Sequence, residues 1–349
     1  MNDINLSRCE LGRSGLEVSV LGFGCLSLAG FYGDRVDVAG GEQTIREAFE
    51  LGVNLFDTSD VYGTAGSNEE LLGRAVKGIR DQVIVATKFG NLLDANGNIV
   101  GWDGSPPYVR QACEASLRRL DVDVIDLYQL HRIDPKTPIE ETVGAMSTLV
   151  DEGKVRYLGL SEARPEDIRR ASAVAPIATL QSEYSMFERG VEVDVLPLCE
   201  ELGIGFLAYA PLGRGLLAGS LRSQDQLDDK DPRRTLYPWL TGEHLDRNVV
   251  LAQRIQTIAD AHGATSAQVA LAWLLQRPQN VVPIPGTRRS SHLRDNVASA
   301  QLVLDSDELV RIDDLVAPGQ GADGERVIAE LAPTRVTPER DGASVREGP

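Results

Sequence analysis

Residues 52–63 read Gly-Val-Asn-Leu-Phe-Asp-Thr-Ser-Asp-Val-Tyr-Gly. Val53 to Phe56 is a short apolar run of strand type, set off by Gly52 and giving way to polar residues at Asp57. Gly63 and Gly66 extend a turn behind Tyr62, and Ser67 with Glu70 has the spacing of a capping box opening a helix over 69–76. The stretch is a strand, a loop and a helix start. It puts a carboxylate at the strand end and a phenol on the loop behind it.

The same unit recurs outward in both directions. Toward the N-terminus, Ile45, Ala48 and Phe49 predict a helix over 42–51, preceded by an apolar strand over 18–23 and a small hairpin over 9–19. Toward the C-terminus, Val83 to Thr87 predicts a buried strand followed at once by Lys88. Ser105-Pro106 opens a helix to about residue 120, and Thr137-Pro138-Ile139-Glu140 is a second capping box opening one to 151. Strands predicted over 124–130, 155–160, 177–180 and 204–208 end at His131, Ser161, Gln181 and Tyr209, with helices over 165–175 and 193–202 between the last three. The rhythm breaks at the polar residues 222–247, read as a long loop over the site. Helices over 249–262 and 266–276 lead to an eighth strand over 281–284, which ends in Pro285-Gly286-Thr287. Helices over 291–298 and from Asp305 to Val316 follow. From Pro318 on, Gly, Pro, Glu and Arg dominate, which predicts a single domain over 1–320 and a disordered tail over 321–349.

Eight strands alternating with helices predict an α/β fold, a TIM-type (β/α)8 barrel with an N-terminal hairpin and a long loop after strand seven. The alternative is a doubly wound open sheet; no Gly-x-Gly-x-x-Gly lies between the first strand and a helix, which lowers that reading. The 349 residues, 42% hydrophobic, suffice for one such barrel. A net charge of -17 argues against nucleic-acid or anionic-membrane partners. No apolar run approaches the roughly 18 residues of a membrane span, and the N-terminus has no secretion-signal pattern. Cys9, Cys25, Cys113 and Cys199 lie far apart, which suits a reducing cytoplasm, and the four dispersed histidines argue against a metal site.

In a parallel barrel the C-terminal strand ends share one face. Singly, each residue there has an ordinary reading: a helix cap, a solvated lysine, a hydrogen-bonded core histidine, a loop tyrosine. Together they suggest a chemistry. Lys88, held by Asp57, favours the phenolate of Tyr62 and so makes the phenol acidic, while His131 orients a carbonyl oxygen beside it. None of these groups supplies a hydride, so carbonyl reduction here calls for a nicotinamide cofactor.

These motifs resemble the aldo-keto reductases over roughly residues 8–320. Residues 52–63 are similar to that family's signature, and Asp57, Tyr62, Lys88 and His131 match its catalytic tetrad. Ser161-Glu162, Leu180-Gln-Ser-Glu-Tyr184, Tyr209-Ala-Pro-Leu-Gly-Arg-Gly215 and Ile284-Pro-Gly-Thr287 are similar to its cofactor segments, in the branch of plant perakine and auxin-induced reductases. The resemblance implies NADPH/NADP+ bound without a Rossmann fold and a small carbonyl substrate. It implies that Ser161 and Gln181 hold the carboxamide and that Tyr209 stacks on the nicotinamide, with Gly24, Cys25, Leu26, Asp57 and Glu162 nearby. Ala210, Pro211, Leu212, Gly213 and Gly215 then line the pyrophosphate. Ile284, Gly286, Thr287, Arg288, His292, Asp295 and Asn296 meet the adenosine end. Many members carry Asn where this chain has Glu162, and a phosphate-binding Arg where it has His292; Arg288, Arg289 or Arg294 are the substitutes for the latter. Two other functions stay open at this point. One is a redox-sensing binding protein like the potassium-channel β subunits. The other is a retaining glycosidase using Glu162 and Glu183, which leaves Tyr62 and Lys88 unexplained.

Overall fold

Short apolar and β-branched runs supply the strands, and amphipathic stretches supply the helices between them. The computed structural model describes residues 6–32, 36–95, 97–278 and 281–328. The chain opens with an antiparallel hairpin of β1 (Arg8–Glu10) and β2 (Glu17–Ser19). Then come β3 (Phe23–Gly24), α1 (Val38–Glu50), β4 (Leu55–Asp57), α2 (Ser67–Val76) and β5 (Ile84–Phe89). A second hairpin, β6 (Asn91–Leu93) with β7 (Ile99–Trp102), precedes α3 (Pro106–Leu120), β8 (Ile125–Leu130), α4 (Ile139–Asp151) and β9 (Val155–Ser161). Next are α5 (Pro165–Val174), β10 (Ile177–Glu183), α6 (Val195–Leu202) and β11 (Gly205–Tyr209). After an insertion follow α7 (Gly242–Ala261), α8 (Ser266–Leu275), β12 (Val281–Pro283), α9 (Ser290–Ala298) and α10 (Ser306–Asp313).

Strands β3, β4, β5, β8, β9, β10, β11 and β12 form one parallel sheet, side by side in chain order. Its two edges meet: the Gly22 N–H donates to the Pro283 carbonyl at 2.9 Å and the Gly24 N–H to the Pro285 carbonyl at 3.2 Å. This is the predicted closed barrel and not an open sheet. The seam is tight enough to need glycine. A Cβ on Gly24 would lie 2.7 Å from the Ile284 carbonyl oxygen, and one on Gly286 would lie 2.3 Å from that of Gly24. The hairpin residues Leu11, Leu16 and Val18 pack onto the interior side chains Leu55, Ala86, Leu127, Leu207 and Val282. The hairpin thus plugs the N-terminal mouth of the barrel and leaves the C-terminal mouth for a site. No helix among the described residues is long and apolar enough to cross a membrane.

Several boundaries differ from expectation for identifiable reasons. β3 is short because Val18 and Ser19 pair in the hairpin. Lys88, Ser161, Gln181 and Tyr209 lie inside their strands, and β10 continues to Glu183. The β6–β7 hairpin had no expected counterpart. The expected capping boxes at Ser67 and Thr137 do not form: the caps are Gly66 and Pro138, without a side-chain bond, and the Thr137 hydroxyl donates to Asp134 Oδ2 at 2.7 Å. Asp305 and Glu308 do form one. α7 starts at Gly242, so the insertion ends sooner than residue 247, and it carries three 3-10 turns, Gln224–Gln226, Pro232–Arg234 and Pro238–Leu240.

The expected boundary at residue 320 is corrected by residues 321–328. The Ala322 N–H donates to the Phe187 carbonyl, the Trp239 N–H to that of Glu325, and the Ile328 N–H to that of Leu236. Ala322, Arg326 and Val327 are buried. This C-terminal strap spans from the loop after β10 to the insertion after β11. The rest of the expected tail, 329–349, lies outside the described residues.

Candidate active site

Asp57 closes β4 and Lys88 sits one strand over on β5, both buried at the C-terminal mouth. Burying an ammonium is costly unless its protons are all placed. Lys88 Nζ places three: to Asp57 Oδ2 at 2.6 Å, to the Thr58 carbonyl at 2.9 Å and to Tyr62 Oη at 3.2 Å. The other carboxylate oxygen, Asp57 Oδ1, accepts from Gln181 Nε2 at 2.8 Å and from Gln129 Nε2 at 3.3 Å. Burial alone would depress Lys88, but Asp57 and Tyr62 together carry its pKa above the ordinary value. For Tyr62 the balance goes the other way from the expectation of an acidified phenol. Burial raises its pKa, and Lys88, though opposing, does not reverse that. The phenol therefore keeps its proton at neutral pH and has it available to donate.

His131 follows β8 and meets the Tyr62 ring edge-on, 5.9 Å between centroids. Its Nδ1 lies 3.2 Å from Ser59 Oγ. Ser59 Oγ is also 3.2 Å from Asp60 Oδ1 and 3.4 Å from the Lys88 carbonyl. Burial, and next the Glu69 carboxylate, push Asp60 up to about 7 against the pull of Arg119, Ser59 and Lys88. Glu69 is itself held by Thr87 Oγ1 and Arg119 Nε, each at 2.6 Å.

On the opposite side of the mouth, Ser161 and Gln181 are register partners on β9 and β10. Arg132 Nη1 donates to Ser161 Oγ at 3.1 Å. Glu162 has φ of +53, a left-handed conformation that costs energy for a residue other than glycine and gathers at functional sites. Its N–H donates to the Gln181 carbonyl, and its Oε1 accepts the Glu183 N–H at 3.0 Å. Both acids meet Arg326 of the strap. Arg326 Nη2 lies 2.8 Å from Glu162 Oε1 and 3.1 Å from Tyr209 Oη, and its Nε lies 2.9 Å from Glu183 Oε2. Glu183 Oε2 also accepts from Arg214 Nη2 at 2.7 Å, and the Arg214 guanidinium stacks 4.0 Å over the Tyr237 ring.

Beyond β11 the backbone is left-handed at Ala210, Gly213, Arg214 and Gly215, with Pro211 and Leu212 between. The Gly213 and Gly215 N–H groups donate within this turn, to the Ala210 and Leu212 carbonyls. At the seam lie Gly24, buried Cys25, whose carbonyl accepts from Asn68 Nδ2, and half-buried Leu26. Ser27 Oγ is buried without a protein partner, next to Gly286. Ile284 is tied to Ala208, and Thr287 Oγ1 accepts the Arg289 N–H. Arg288 and His292 are exposed, Asp295 is half-buried and Asn296 buried around the start of α9. Burial and then the nearby Arg289 lower the His292 pKa. Arg294 Nη2 is 2.7 Å from Glu47 Oε1, so that cation already has a carboxylate partner. A tight left-handed turn, a buried hydroxyl with no partner among the described residues and cations at α9 are chemistry a dinucleotide can use, and these residues fit one. Among the described residues no His, Cys, Asp and Glu cluster could hold a metal ion.

The structure thus gathers Asp57, Tyr62, Lys88 and His131 in one place, and brings Ser161, Glu162, Gln181 and Tyr209 to its rim. Sequence reasoning missed Ser59, Asp60, Gln129, Arg132, Arg214 and Arg326. For the last two a signal existed: two carboxylates at adjacent strand ends, Glu162 and Glu183, required cations from somewhere in the chain.

The sequence model of the Aldo/keto reductase family matches residues 20–317. A probable aldo-keto reductase 1 from Glycine max is 44% identical over 325 residues, 93% of each chain. A glycerol dehydrogenase from Gluconobacter oxydans superposes with a TM-score of 0.78 at 30% identity, covering 91% of this chain and 96% of that one. An aldo-keto reductase from Bacillus halodurans, in holo form, gives 0.74 at 31% identity, covering 89% and 96%.

Proposed function

Because the chain belongs to the aldo-keto reductase family, oxidoreductases that act on carbonyl groups with a nicotinamide cofactor, we propose that it reduces small aldehydes or ketones with NADPH and that Tyr62 is the general acid. When bound, the nicotinamide supplies the hydride. The carrying observation is the buried Lys88 ammonium, bonded to Asp57 on one side and to the Tyr62 hydroxyl on the other. Tyr62 donates its proton to the carbonyl oxygen as negative charge develops there, and Lys88, 3.2 Å away, stabilises the phenolate left behind. Asp57 keeps the ammonium in place. His131 points its ring to the same spot and donates a second hydrogen bond.

Ser161 and Gln181 hold the carboxamide, since Glu162 is committed to Arg326. Tyr209 offers its ring face, and the turn from Ala210 to Gly215 receives the diphosphate. Arg288 and Arg289 give the 2′-phosphate end its cations, while Arg294 is held by Glu47. The glycosidase alternative needs Glu162 and Glu183 flanking a cleft; both are instead paired to one guanidinium. The test is NADPH and NADH oxidation over a panel of carbonyls. Tyr62→Phe is expected to lose about 10²–10⁴-fold in kcat with NADPH binding retained. Near wild-type turnover in that variant, or equal kcat/KM for the two cofactors, would sink the acid assignment or the NADPH preference respectively.

A further inference from the structure

Arg326 is buried in the mouth of the barrel, yet it arrives there from the C-terminal strap. Its guanidinium is shared between two buried carboxylates, Glu162 and Glu183, and the Tyr209 hydroxyl; Glu188 lies 4.0 Å away. Glu183 has a second cation, Arg214. Both oxygens of Glu162 accept from Arg326, at 2.8 and 3.3 Å. Glu162 is also the residue after Ser161 and is bonded by its backbone to Gln181, the two side chains assigned above to the nicotinamide end.

We propose that Arg326 is a charge-balancing, positioning residue of the nicotinamide end of the site: by pairing with Glu162 it offsets the charge of that carboxylate, so that the protein does not retain oxidised cofactor at the expense of reduced cofactor. The inference rests on the cofactor reading above. The physical argument is that the two redox states differ in ring charge. The oxidised ring is cationic and the reduced ring neutral, so an unbalanced carboxylate beside them favours the oxidised form and an unbalanced guanidinium the reduced one. A neutral amide at this position would be indifferent, and the Glu162–Arg326 pair reproduces that indifference with two charges. Arg suits the task because its fork can meet Glu162, Glu183 and Tyr209 at once. Binding through Tyr209 also fixes the ring proposed to stack on the nicotinamide.

The two charges give opposite and separable predictions. Dissociation constants for NADP+ and NADPH are measured by fluorescence titration in wild type, Arg326→Met, Glu162→Gln and the double variant. In Arg326→Met the ratio Kd(NADP+)/Kd(NADPH) is expected to fall about tenfold, in Glu162→Gln to rise about tenfold, and in the double variant to return to within about twofold of wild type. A merely structural role would weaken both forms alike and leave the ratio fixed. Arg326→Lys, which keeps the charge and loses the fork, is expected to hold the wild-type ratio. If Arg326→Met does not fold, Glu162→Gln carries the test alone, and an unchanged ratio there overturns the proposal. Wild-type protein that binds neither nucleotide overturns the cofactor reading itself. Wild-type protein that binds both, with one ratio across all variants, overturns only the role of Arg326.

Discussion

A serine hydroxyl has one proton to give, and Ser59 stands among Asp60 Oδ1, His131 Nδ1 and the Lys88 carbonyl. With Asp60 ionised, the carboxylate competes for it. The Asp60 pKa of about 7 in the fold exceeds the roughly 3.9 of an unfolded Asp. The folded state therefore holds the extra proton between those values, and its contribution to stability is full below about pH 4 and lost as pH rises through about 7. Asp60→Asn removes that dependence. Its stability relative to wild type, read from denaturant midpoints, is expected to be greater at pH 8 than at pH 5 by on the order of 1 kcal/mol or more. At this scale the meeting of Asp57, Tyr62, Lys88 and His131 at one mouth was legible, because three of them follow apolar runs and Tyr62 lies on the loop behind one. Ser59 and Asp60 were not, since their role depends on which acceptor lies across a loop. The direction of the Tyr62 shift was not legible either: a lysine in the sequence announces its charge, whereas burial is announced by nothing local.

The strap shows the same limit one level up. Strands and helices declare themselves by periodicity, and the eight strands were read with errors mainly at their ends. Residues 321–328 have no periodicity; their hold is a few backbone bonds, the Asp323 contacts to His244, Arg247 and Asn248, and one buried arginine. A composition rich in Gly, Glu and Arg reads as solvent-exposed until the acids that need the arginine are located. A chain ended at residue 320 is expected to lose roughly 3–5 kcal/mol, the cost of stripping a partner from buried ion pairs. That corresponds to a fall in thermal midpoint of about 4–7 °C for a domain of this size. A chain ended at residue 328 keeps the strap and serves as the comparison. Equal midpoints for both would show that the strap contributes nothing to stability.

For the molecule as a whole, alternation of strand and helix carried the barrel, and the polar strand ends told which mouth bears the site. Closure was expected from the count of eight units; the seam that achieves it was not. It depends on Gly22, Gly24 and Gly286 letting two backbones approach where side chains would collide. Gly24→Ala is expected to cost about 1–3 kcal/mol of stability, the range for forcing extra atoms into a packed seam; an unchanged denaturant midpoint would mean that the seam yields easily. The order of synthesis adds a further consequence. Translation delivers all eight strands before it delivers residue 326, and proteins assemble from the N-terminal side as they emerge. Glu162 and Glu183 are thus made long before the strap's cation, and their ion pairs with it form only once residue 326 has emerged. A message truncated just short of codon 326 would yield a chain with every strand and helix in place, in which the electrostatic balance of its mouth was never completed.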